Sequence, residues 1–122
     1  MLLYINDDKT VADLQDKFNE CFPYLKIELY DTMHHWQHAS AEGREVSGDM
    51  KIGDIRKNHN IGTFEIMSFY KAGKVEQDFR HQFGLFVQIF FKMDNVWVQS
   101  VTTDDLTLGQ LSDMAEQSKK LH

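Results

Sequence analysis

Between Thr10 and Tyr30 the apolar residues recur first every three or four positions and then every second one. Val11, Leu14, Phe18, Cys21 and Phe22 fall on one side of a helix, with Asp16, Lys17 and Glu20 opposite. Thr10 and Asp13 have the spacing of a capping box at its start, and Pro23 stops it. Leu25, Ile27 and Leu29 then alternate with Lys26, Glu28 and Tyr30, which predicts a strand with one covered face. The same sequence of patterns returns later. Ala72, Val75, Phe79 and Phe83 align on a helix over Lys71 to Phe83, Gly84 ends it, and Phe86 to Lys92 and Val96 to Val101 form a hairpin about Met93-Asp94-Asn95. Short strands precede each helix, Leu2 to Ile5 and Thr63 to Phe69. A helical turn is expected over Lys51 to Arg56. Thr107 and Gln110 open a last helix with Leu108, Leu111 and Met114 inward.

The recurrence is numerical as well as qualitative. Ile66, Phe79 and Phe83 lie 61 positions after Ile5, Phe18 and Phe22. Leu85, Val87 and Ile89 lie 60 after Leu25, Ile27 and Leu29, and Asp105 to Leu111 mirrors Asp49 to Ile55 at 56. The pattern predicts one α+β domain over residues 1–122, built from two repeats at about 1–60 and 61–122. Each repeat is a β-α-β-(β)-α unit too small to hide its apolar face alone. The expected architecture is a two-layer sandwich with mixed sheets, a right-handed crossover joining parallel strands within each unit, and helices on one face. β-grasp-like units are the alternative. Asp31 to Gly48 has no sustained period and reads as a long loop with a short strand near Val46.

The combination of FPYLKIELYD, IGDIRKNHNIGTFEI and FGLFVQIFFKMDNVWVQSVTTDDLTLGQLSDMAEQ resembles a family of small bacterial proteins. The resemblance spans nearly the full length and implies the α+β fold. It supplies no catalytic residue. The chain departs from that pattern at Leu106, where the family suggests Trp, and at Lys71, where a Thr would cap the helix better.

Charge narrows the function classes. With 13 Lys and Arg against 19 Asp and Glu the net charge is −6, which argues against a nucleic-acid partner held through its phosphates. The apolar start MLLYI is short and acids follow it, unlike a signal peptide, and nothing approaches a membrane span. A cytoplasmic protein without membrane or nucleic-acid partners is expected. Cys21, the only cysteine, precludes an intramolecular disulfide and reads as a buried, inert thiol on the core side of its helix.

Chemistry-bearing residues are sparse. His34 and His38 are four apart, with His35 between them, a spacing that suits zinc on a helical face. The stretch lacks a catalytic Glu, and a third ligand would have to come from afar, such as His59 or Asp31. Asp7-Asp8 and Asp104-Asp105 stand just ahead of helix starts and read as capping residues rather than paired catalytic carboxylates. No Ser sits in a nucleophile-elbow context and no glycine cluster could cradle phosphate, so neither an enzyme nor a cofactor is expected.

The most informative feature is a difference between the repeats. Lys26, Glu28 and Tyr30 on the outer strand face of the first become Phe86, Gln88 and Phe90 in the second, while Val87, Ile89 and Phe91 still supply the inner face. The partner strand adds Trp97. A strand apolar on both faces requires cover on both. That cover is either the first half of the same chain or its long loop carrying Trp36, or else another protein or a second copy of this chain. The sequence therefore favours a non-enzymatic protein-binding or regulatory module, self-associating or binding a protein partner through Phe86, Phe90 and Trp97 with Trp36. The alternatives are a metal-binding protein using His34, His35 and His38, and an acidic decoy of a nucleic-acid-binding protein.

Overall fold

The computed structural model describes residues 1–31, 45–100 and 105–120. The elements are β1 (Leu2–Ile5), α1 (Val11–Cys21), β2 (Leu25–Tyr30), a 3-10 turn (Ile52–Asp54), β3 (Gly62–Glu65), α2 (Ala72–Phe83), β4 (Phe86–Met93), β5 (Val96–Gln99) and α3 (Leu108–Lys120). The fold class is α+β. The boundaries follow local chemistry. Thr10 Oγ1 accepts from Asp13 N while an Asp13 carboxylate oxygen accepts from Thr10 N, closing the capping box of α1. Gly84 adopts a left-handed φ of 65° to end α2. Asp94 and Asn95 take φ of 51° and 66°, the conformation of the tight turn that best joins twisted strands.

The sheets differ from the expected mixed arrangement. Every ladder between the strands is antiparallel: β1 pairs with β3, and a second sheet has the order β2-β4-β5. The strands flanking each helix lie in different sheets, so no parallel crossover forms. Each half instead lends a strand to both sheets and covers the other half's apolar face. The registers are reciprocal. Leu2 faces Glu65 and Tyr4 faces Thr63 about the Leu3–Phe64 pair, and Ile27 faces Ile89 and Leu29 faces Val87 about Glu28–Gln88.

Hydrogen bonds at the helix starts recur at the offsets of the sequence comparison. Val11 N donates to Met50 O and Ala72 N to Leu106 O. Ile52 N donates to Lys9 O and Leu108 N to Tyr70 O; Gly53 N to Asp7 O and Gly109 N to Ser68 O. The bridges Thr10–Lys51 and Lys71–Thr107 stand in the same relation. Leu3, Ile5 and Phe64 from one sheet, with Ile66 just after β3, meet Leu25, Ile27, Leu29, Val87, Ile89 and Phe91 from the other in a single core. Val11, Leu14, Phe18, Val75, Phe79, Leu108 and Leu111 of the helices complete it.

Two inward assignments are corrected. Cys21 is exposed rather than buried. Phe18 is the last buried residue of α1, and Phe22, its ring centre 5.2 Å from that of Phe18, takes the next place against the core instead of Cys21. Met114 is 37% exposed, and Ala115 turns inward instead.

Candidate interaction surface

The alternation that buries Leu25, Ile27 and Leu29 sends Lys26, Glu28 and Tyr30 to the other face of the three-stranded sheet. On β4 it sends Phe86, Gln88, Phe90 and Lys92 there, and on β5 Trp97 and Gln99. The register sets Lys26 opposite Phe90, Phe90 opposite Gln99, and Lys92 opposite Trp97. The Lys26 ammonium lies 5.2 Å from the Phe90 ring centre and 5.0 Å from that of Trp97, and Lys92 lies 5.5 Å from Trp97. Both lysines thus lay apolar stems along the rings and keep charged heads at the surface. Glu28 stands 3.5 Å from Lys26 and offsets part of that charge.

Phe90 and Trp97, two of the residues expected at an interface, are therefore brought together and remain half-buried. Phe86 lies on the same strand face about 13 Å away. It sits opposite Tyr30 and 5.9 Å from the Arg80 guanidinium. Tyr30 is only 2% exposed. Burial, reinforced by the charges of Glu45, Glu28 and Glu76, pushes its phenol up to about 12. Lys26 and Lys92 were not singled out as site residues by the sequence. A cation directly across a ladder from a ring is the signal that finds them, and it needs the register.

Alongside this face α2 borders a cleft of about 530 Å³ with Lys71, Lys74 and Arg80 on its wall. The cations are offset locally. Lys74 holds Asp78 at 2.7 Å, a bond that raises its pKa, and Glu76 and Asp105 share the lining. Glu76 also serves the sheet: one carboxylate oxygen accepts from Ile89 N at 2.8 Å and from the Gln88 amide at 3.0 Å.

Trp36, His34, His35 and His38 lie outside the described residues. His59, considered as a remote metal ligand, is engaged elsewhere, its Nδ1 lying 3.0 Å from Asp7 Oδ2. Among the described residues no group of three His, Cys, Asp or Glu side chains could hold a metal ion. Asp7 is not a capping residue. It receives Arg56 and His59, while the Asn6 side chain accepts from Asp8 N and Lys9 N.

No helix among the described residues is long and apolar enough to cross a membrane. No family model, curated protein or solved structure matches the chain.

Proposed function

We propose that the chain is a non-enzymatic protein-binding module whose contact surface is the outer face of the three-stranded sheet, centred on Phe90 and Trp97. The observation that carries this reading is the pair of half-buried rings sharing one ammonium, Lys26, at 5.2 and 5.0 Å. Large rings held at a surface are the usual anchors of protein interfaces, and each contributes on the order of 2 kcal/mol when fully covered. The heads of Lys26 and Lys92 favour acidic groups on the occupant, in an otherwise acidic chain. The recurring helix-start bonds support an origin of the two halves by duplication, with the second copy's outer face turned apolar for binding.

The test compares the immobilised wild-type chain with Phe90→Lys and Trp97→Ala for capture of binding proteins, with far-UV circular dichroism as the control for folding. A protein retained by the wild type and lost with both folded variants is expected. Identical capture by all three overturns the assignment of the surface. A single-stranded oligonucleotide in the same assay is expected not to bind, because a net charge of −6 opposes phosphate.

A further inference from the structure

We propose that two copies of the chain join through the outer edge of β5, which pairs antiparallel with β5 of the second copy to form one continuous sheet across a two-fold axis. The proposal rests on reading this sheet as an interaction module, but it uses the edge of the sheet rather than its outer face.

The two-residue turn at Asp94 and Asn95 makes Met93 and Val96 a hydrogen-bonded pair, since such turns close on one. Alternation then directs the backbone of Val98 toward Phe91, and Ser100 N continues the series by donating to Ile89 O at 3.0 Å. The N–H and C=O groups of Trp97 and Gln99 therefore point away from β4. Among the described residues none bonds to them.

The opposite edge of the same sheet is closed. The Gln15 side-chain amide donates to Ile27 O at 3.1 Å and that of Asn19 to Leu25 O at 2.9 Å, and Val46 N donates to Leu29 O. Where β4 runs beyond β5, Glu76 takes up Ile89 N. These are the devices by which proteins blunt a sheet edge. Among the described residues none serves β5 in this way: Val96-Trp97-Val98-Gln99 carries no charge and no proline, and Val96 and Val98 are 60% and 38% exposed.

A second copy fits this edge for two reasons. First, the strand is its own antiparallel complement. With Val98 on the axis, the outward groups of Trp97 meet those of Gln99 in the second copy, and the reverse. This contact is free of like charge, although each chain carries −6. Second, the closed β2 edge stops growth after one pairing, which gives a two-fold dimer rather than a fibre. The dimer also sets the two Phe90–Trp97 surfaces side by side.

Sedimentation equilibrium of the full chain across a concentration series tests the pairing. The wild type is expected to reach twice the monomer mass. Gln99→Pro removes an outward N–H and spares the β4 ladder, and Val98→Lys places like charges on the axis. Each is expected to weaken the dimer about tenfold or more. Slowed amide exchange at Trp97 and Gln99, appearing only at dimer concentrations, is the second expected readout. A wild type that stays monomeric overturns the proposal. So does a dimer unchanged in both folded variants, or one without protection at Trp97 and Gln99. Phe90→Lys is expected to keep the dimer, so loss of the outer-face function and loss of the edge are read separately.

Discussion

Arg56 is wholly buried and directs both Nε and Nη2 at Oδ1 of Asp7, at 3.1 and 2.8 Å. Its Nη1 donates to Phe83 O at 2.9 Å, so one guanidinium bonds the turn after β1 and the C-terminal end of α2 together. Asn60 reinforces the seam by donating to Gln82 O. The planar fork of Arg serves this geometry, whereas a lysine ammonium could not address both acceptors in one plane.

Arg56→Met is expected to destabilise the fold by about 2–4 kcal/mol, because it strands Phe83 O in the interior and leaves Asp7 without its main cation. Asp7 keeps contact with water at 37% side-chain exposure, which places the loss below that of a fully enclosed pair. Urea unfolding monitored by circular dichroism measures it. A shift under 1 kcal/mol would mean the seam contributes little.

The same cluster gives a signed dependence on pH. Burial raises the Asp7 pKa, but hydrogen bonds from His59 and Arg56, with their charges, outweigh burial and hold it below the ordinary 3.8. The folded state therefore prefers the ionised carboxylate. Its contribution is complete above about pH 4 and is lost as pH falls through the depressed value. Asp7→Asn is expected to be less stable than wild type at pH 7 and to lose less on acidification to pH 2. Parallel urea midpoints across that range would refute the assignment.

Tyr30 predicts the opposite trend in alkali. Burial first, and then the carboxylates of Glu45, Glu28 and Glu76, raise its pKa from 10.0 to about 12. The protonated phenol contributes its full stability below pH 10, and that contribution falls as pH rises toward 12. Subtracting the phenolate absorbance titration of Tyr30→Phe from that of wild type should leave one group with a midpoint near 12. A difference centred at 10 would show that Tyr30 meets solvent.

Gly84→Ala is expected to cost about 1–3 kcal/mol, since φ is 65° and an added Cβ would stand 2.8 Å from Asn58 Cβ. Gly62→Ala is the control: its nearest neighbour would be Phe83 Cε1 at 3.9 Å, an ordinary contact, and a change within about 0.5 kcal/mol is expected. Thermal melts of the two variants should separate clearly.

By itself the chain determined its elements. The three-to-four spacing of Val11, Leu14 and Phe18, the alternation of Leu25 to Tyr30 and the stops at Pro23 and Gly84 act within a few residues, so local order discloses them. The capping pairs of Thr10 with Asp13 and Thr107 with Gln110 were legible for the same reason. Only the tertiary structure decided which strands pair, that Lys26 lies over Phe90 and Trp97, and that Asp7 meets Arg56 across 49 positions. It also decided that Cys21 faces water. A periodicity shows which side of an element is apolar. It does not say which distant backbone satisfies that element's hydrogen bonds, where the core ends along a helix, or which cation comes to rest on which ring. Those follow from the packing of segments roughly fifty to seventy residues apart, and no local pattern encodes their distance.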